Sequence, residues 1–121
     1  TEEGLELCEK IDHPKVGLLL DTYHMNIEQK DICKSIILAK DKIYHFHIAE
    51  NDRGIPGTGS LNWDKIFQTL KLINYNKHVT LEMFIQAFVS TSKDLFTWRN
   101  IEKSPEIAIK ESFNYLQKFF N

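Results

Sequence analysis

The sequence predicts an α/β fold built on a parallel sheet, and three observations support this. Short apolar runs that suit strands alternate with segments of helical apolar spacing, in the order of one helix and then three strand-helix units. The runs are mostly continuous rather than strictly alternating, which is typical of strands covered on both faces. Glycine and proline gather in one loop, over 53–60. Such alternation fits a doubly wound sheet or a closed barrel, and three strands are too few to close a barrel alone.

Each predicted element rests on local spacing. A first helix is predicted over 3–11, with Leu5, Cys8 and Ile11 on one face and Pro14 ending it. The other elements are predicted as strands over 16–20, 43–48 and 79–84 and as helices over 29–40, 63–73 and 105–120. Asn62 can cap the helix that begins at Trp63. The stretch over 86–104 is the least regular.

Composition narrows the class of protein. The chain has 121 residues, of which 42% are hydrophobic, which is enough for a core in one domain. Lys and Arg total 15 against 17 Asp and Glu, so the net charge of -2 argues against nucleic acid as a partner. No apolar run reaches the roughly 20 residues of a membrane span, and we expect no membrane partner. Cys8 and Cys33 show no paired-cysteine motif, which favours a reducing cytoplasm.

A polar side chain that can bind metal stands near the carboxyl end of each predicted strand. These residues are Asp21, His47 and Glu82. Taken singly, each has an ordinary interpretation: a turn cap, a buried core histidine and a salt-bridge partner. Ligands of parallel sheets bind beyond the carboxyl ends of the strands, so the coincidence of all three favours a site for Mn²⁺, Mg²⁺, Co²⁺ or Zn²⁺. His45 points the same way as His47 and is the second choice of ligand.

Longer motifs resemble a known family. The segments Leu18 to Glu28 (LLLDTYHMNIE) and His45 to Gly59 (HFHIAENDRGIPGTG) closely resemble the D-tagatose and D-psicose (allulose) 3-epimerases, a group of xylose isomerase-like barrels. Leu81 to Phe84 and Trp98-Arg99 are also similar to that group. Met83 departs from the pattern, since Pro or Ser is expected there. The resemblance spans nearly the whole chain.

The resemblance implies a fold and a metal site. Residues 1–121 would be the C-terminal portion of a single (β/α)8 TIM-barrel domain, with about three βα units preceded by a helix. The family binds one divalent metal, Mn²⁺ favoured, through Glu, Asp, His and Glu. The last three match Asp21, His47 and Glu82. The first is expected just upstream of this chain, in keeping with the absence of an initiator Met.

The resemblance also implies an activity. It predicts a metal-dependent ketose epimerase or isomerase that works through an enediolate, with 3-epimerisation of free ketoses favoured and a small sugar as substrate. Glu82 would be one of two catalytic carboxylates, and the isolated chain would therefore be inactive. His24 and Arg53 match substrate-binding residues of the family. Without the motif, the two would be interpreted as an exposed loop histidine and a surface cation.

Two other functions stay open at this stage. The metal-dependent apurinic endonucleases share the barrel and the Asp-Thr-x-His motif of Asp21 to His24, but they hold three metals with additional histidines that 54–63 lacks. A non-catalytic sugar-binding fragment is the other alternative. Because three barrel strands leave unpaired edges, we also expect a homo-oligomer or association with the missing N-terminal barrel segment.

Overall fold

Helices and strands alternate along the chain in the computed structural model, which describes residues 1–120. The elements, in chain order, are α1 (Glu2–Ile11), β1 (Leu18–Asp21), α2 (Thr22–Glu28), α3 (Ile32–Ala39), β2 (Ile43–Ile48), α4 (Trp63–Leu72), β3 (Val79–Leu81), α5 (Ser90–Asp94) and α6 (Pro105–Phe120). A short 3-10 turn, Lys40–Lys42, joins α3 to β2. The predicted α/β alternation is confirmed.

The three strands form one parallel sheet in the order β1-β2-β3. Asp21 at the end of β1 lies opposite His47 on β2, and His47 lies opposite Thr80 on β3. Pairing continues just past β3, where the Glu82 N–H donates to the carbonyl of Ile48 at 3.0 Å. Side chains two residues apart on a strand share a face, so Glu82 lies on the same face as Thr80 and His47.

One face of the sheet carries the core. Phe46 and Ile48 point to this face, are at most 1% exposed and pack against α3, α4 and α6. The rings of Phe67 on α4 and Phe119 on α6 stack with centroids 4.3 Å apart. On the opposite face Leu19 is 53% exposed. The expectation of strands covered on both faces is therefore met on one face only, among residues 1–120.

Several element bounds differ from the prediction. Helix α2 begins at once after β1, where no helix was predicted, because the Asp21 carboxylate caps it. Strand β3 ends at Leu81 instead of Phe84, because its partner β2 ends at Ile48 and the pairing between the two strands stops at Glu82. Ile11, predicted on the same face of α1 as Cys8, is 48% exposed, while Cys8 is buried.

The starts of α4 and α6 agree with the prediction. Asn62 caps α4, its side-chain oxygen accepting from the Lys65 N–H at 3.0 Å. Pro105 begins α6, where its missing N–H costs no helical hydrogen bond. Within residues 1–120, every helix is too short or too polar to cross a bilayer.

Candidate metal and substrate site

The strand register brings the three predicted ligands together. One donor atom each of Asp21, His47 and Glu82 lies within 4.8 Å of the other two. The Asp21 side chain is 6% exposed, while those of His47 and Glu82 are 19% and 33% exposed. The cluster therefore rests on the buried end of the sheet and opens to solvent on one side.

The donor set fits a divalent cation. Carboxylate oxygens and an imidazole nitrogen are ligands that Mn²⁺, Mg²⁺, Co²⁺ and Zn²⁺ accept. Nδ1 of His47 lies 3.3 Å from Oε1 of Glu82, so these two candidate metal ligands already face each other. His45, the second-ranked candidate ligand, lies on the same face but further from the carboxyl end of β2. Its Nε2 is 2.9 Å from the Thr80 hydroxyl. His47 is thus the histidine that lies beside both carboxylates.

The Asp21 carboxylate has two separate tasks. Its Oδ1 accepts from the backbone N–H groups of Tyr23 at 2.8 Å and His24 at 3.4 Å, which caps α2. Its Oδ2 faces the site and accepts from Nη1 of Arg53 at 2.9 Å. Burial raises the pKa of Asp21, but the neighbouring Glu82 side chain, the charge and hydrogen bond of Arg53 and the Tyr23 N–H together outweigh burial, so the pKa lies below the ordinary value of an aspartate. The turn-cap interpretation and the ligand interpretation are therefore compatible.

Arg53 lies inside the site and is no surface cation, being 6% exposed. Its Nη1 donates to Asp21 and also to Oε2 of Glu82 at 2.7 Å. Its Nη2 lies 3.0 Å from Nε2 of His24. Two buried or half-buried carboxylates in one site repel each other, and the guanidinium between them offsets that repulsion.

Two aromatic rings hold the Arg53 guanidinium. Its central carbon lies 4.1 Å from the ring centroid of Tyr23 and 5.2 Å from that of Phe84. Phe84 is half-buried against the guanidinium. Sequence reasoning missed the role of Tyr23, although the position of Tyr23 between Asp21 and His24 in the motif was a signal for it.

The polar cluster opens into a cavity of about 430 Å³. Asp21, His47 and Glu82 form its base, and His24 and Met25 of α2 form part of its wall. A cavity with a few convergent polar groups is the usual form of a small-molecule site. All five predicted site residues thus lie on this cavity or contact those that do.

Comparison with known proteins assigns the chain to a family. Residues 1–119 match the family described as the xylose isomerase-like TIM barrel. The chain belongs to this family. Its polar cluster lies at the carboxyl ends of parallel strands, which is where TIM-barrel enzymes have their active sites. The predicted partial TIM barrel is therefore confirmed.

Within the xylose isomerase-like family, the chain is similar to ketose epimerases. It is 35% identical over 118 residues to a probable ketose 3-epimerase of Synechocystis sp., covering 98% of this chain and 41% of that protein. It is 40% identical over 101 residues to an L-ribulose 3-epimerase of Methylomonas sp., covering 82% of this chain and 35% of that protein.

A solved epimerase structure has a similar fold. The crystal structure of a D-allulose 3-epimerase from Methylomonas sp. in complex with D-allulose superposes with a TM-score of 0.90 at 34% identity. The match covers 97% of this chain and 41% of the other. The chain therefore spans about two fifths of the length of these relatives.

Proposed function

We propose that the protein containing this chain is a divalent-metal-dependent ketose epimerase, with 3-epimerisation of free ketoses favoured. The observation that carries the proposal is the meeting of Asp21, His47 and Glu82 at one open cavity. Similarity to ketose 3-epimerases supports the choice of substrate class. The three residues would hold the metal, with Mn²⁺ favoured, and a bound metal would supply Lewis-acid polarisation of the ketose carbonyl and its neighbouring hydroxyl.

Glu82 is the residue that would move the proton. Inversion of C3 requires removal of its proton from one face, formation of an enediolate across C2 and C3, and return of a proton to the other face. The Glu82 carboxylate is part of the cavity base and one third exposed, so a sugar can reach it. A second carboxylate must act on the opposite face. The family resemblance assigns it to a glutamate upstream of Thr1.

His24 and Arg53 would orient the sugar. His24 is exposed on the cavity wall, where its imidazole can hydrogen-bond a sugar oxygen. Two carboxylates and two aromatic rings fix the Arg53 guanidinium. The N–H groups that these contacts leave free therefore point in a fixed direction. A fixed positive charge beside the developing negative oxygen of an enediolate lowers the barrier to its formation.

We further propose that residues 1–121 are the C-terminal portion of one barrel domain. The sheet has a free outer edge on β1 and on β3 within residues 1–120, and Leu19 lies exposed on its uncovered face. The remaining barrel strands, or a second copy of the chain, would cover these surfaces. The two cysteines are free, in keeping with a cytoplasmic location.

A nuclease of the apurinic endonuclease kind fits the site less well. By resemblance, such enzymes carry additional histidines after the position of His47, whereas 54–63 contains no histidine. A site for DNA also needs a basic surface, and the chain has a net charge of -2. Both observations favour a small neutral substrate over nucleic acid.

An activity assay tests the proposal. The full-length protein, stripped of metal with EDTA and then supplied with Mn²⁺, is incubated with a panel of ketohexoses and ketopentoses, and the C3 epimers are separated by chromatography. We expect at least one ketose to be epimerised, with uptake of deuterium at C3 in D₂O, and activity to disappear with EDTA. No epimer from any ketose, together with cleavage of abasic DNA, would overturn it.

A further inference from the structure

Glu50 is buried in the loop that carries Arg53, and neither the activity nor the metal cluster uses it. It lies two residues beyond β2 and is 0% exposed. Its carboxylate accepts four N–H groups, two on each oxygen. Oε1 accepts from Asn51 N at 3.2 Å and Leu61 N at 2.9 Å, and Oε2 accepts from Gly57 N at 2.8 Å and Trp63 Nε1 at 2.7 Å.

These four bonds leave Glu50 no capacity for substrate or metal. Each carboxylate oxygen has two acceptor positions, and each of the two oxygens already accepts two N–H groups. All four donors are N–H groups, which an ionised carboxylate can satisfy and a carboxamide cannot. Glu50 therefore stabilises the conformation of the loop whose N–H groups it binds.

The loop over 51–61 is packed tightly around this carboxylate. A Cβ added at Gly59 would overlap Cγ of Glu50 and Oδ1 of Asn51, so only glycine allows the approach. Gly57, which donates to the carboxylate, has a φ of 92°, and a Cβ there would overlap the Tyr115 ring. The loop and the Glu50 side chain thus fit together as one unit.

The backbone of Glu50 also sets the position of Arg53. The Arg53 N–H donates to the Glu50 carbonyl at 2.9 Å, and the Glu50 N–H donates to the Gly54 carbonyl at 3.1 Å. These bonds close a tight turn in which Arg53 has a φ of 70°, a conformation that non-glycine residues rarely adopt. The carbonyl of Arg53 in turn accepts from the Phe84 N–H at 3.1 Å.

We propose that Glu50 is a positioning residue that acts through Arg53. Its carboxylate gathers the N–H groups of the loop, and the loop then holds the strained Arg53 turn so that the guanidinium lies between Asp21 and Glu82. An outer residue that fixes the direction of a site residue typically changes affinity or activity 10- to 100-fold when it is lost. The inference rests on the proposed epimerase function, in which Arg53 orients the sugar.

The test is a double-mutant cycle in the full-length protein with Mn²⁺. Glu50→Gln keeps the shape but turns an NH₂ group toward two N–H donors, in either orientation of the amide. We expect kcat/KM to fall about 10- to 100-fold, with KM displaced in the same direction as in Arg53→Ala. In the Arg53→Ala background, Glu50→Gln should lower kcat/KM less than about twofold further, since its target is gone. Glu9→Gln, which removes an exposed carboxylate on α1, is the control for charge.

Three results would overturn the inference. The first is Glu50→Gln activity within about twofold of the unmutated protein, and the second is a full additional loss in the Arg53→Ala background. The third is a pattern of changes in kcat and KM that differs from that of Arg53→Ala, since a displaced Arg53 should reproduce the pattern of its removal. If Glu50→Gln does not fold, Trp63→Phe replaces it, because it removes one donor and leaves the other three bonds.

A measurement that needs no substrate separates this inference from the proposed function. Hydrogen exchange should show faster exchange of the Gly57, Leu61 and Phe84 amides in Glu50→Gln than in Glu9→Gln. Unchanged exchange at these amides overturns the positioning role, whatever the enzyme acts on. If the exchange accelerates but no ketose is epimerised by the unmutated protein, the proposed function fails and the link from Glu50 to the Arg53 loop stands.

Discussion

The hydroxyl of Thr22 joins the two strand ends on which the site is built, and its removal should be costly. The side chain is 0% exposed. Its oxygen donates to the Ala49 carbonyl at 2.8 Å and accepts from the Ala49 N–H at 3.0 Å. Thr22→Val keeps the shape and leaves both Ala49 groups without this partner. A buried polar group without a partner costs about 1 to 3 kcal/mol, and the added methyl contact returns about 1 kcal/mol.

With two such groups, the expected net loss is therefore about 1 to 5 kcal/mol in the free energy of unfolding. It is measured by urea denaturation of the full-length protein, with the slope of the transition compared between variants. Thr80→Val is the matched control, since it removes one hydroxyl contact, to His45, at an exposed position, and we expect a loss below about 1 kcal/mol. Equal losses in the two variants, or a loss below about 0.5 kcal/mol for Thr22→Val, would refute the reasoning.

Three more predictions concern the site and the open sheet. Glu82→Gln should abolish ketose turnover by the full-length protein while weakening sugar binding far less, because a carboxamide cannot take up and return the proton. Near-normal epimerisation by this variant would show that Glu82 is not the catalytic carboxylate. His47→Ala should weaken Mn²⁺ binding at least about tenfold by calorimetry, a loss of 1.4 kcal/mol or more, and His45→Ala should change it little; the reverse order would make His45 the ligand. Residues 1–121 expressed alone should sediment above the monomer mass of 14.2 kDa, because both sheet edges are free; a well-folded monomer would contradict the barrel-portion proposal.

The arrangement of strands and most helices could be predicted because it depends on local apolar spacing. Strand β2 was placed at Ile43–Ile48, where the structure has it. Helix α2 was missed because it has only seven residues and its start depends on a cap at Asp21, a residue that also ends a strand. Because Asp21 both ends the strand and caps the helix, the sequence holds no separate signal for the start of the helix.

The meeting of the three candidate metal ligands could be predicted for a topological reason. Parallel strands all present their carboxyl ends at one edge, so Asp21, His47 and Glu82 had to lie near one another once the sheet was parallel. Arg53 is different. Its burial depends on a loop with positive φ and on Glu50, a contact network that residue spacing does not reveal. The three glycines that follow Arg53 were the available signal, and they indicated a shaped loop without showing what shapes it.

The double use of the Asp21 carboxylate separates folding from chemistry at that position. Asparagine caps helices as well as aspartate does, so its side-chain oxygen can replace the one that α2 needs. It cannot replace the charge that Arg53 and a cation need. A related protein could therefore carry Asn in place of Asp21 and keep its fold while its site lost the negative charge that binds a cation. Among relatives of this chain, the residue at this position should indicate whether a protein keeps a cation site of the proposed kind, and should say little about whether it folds.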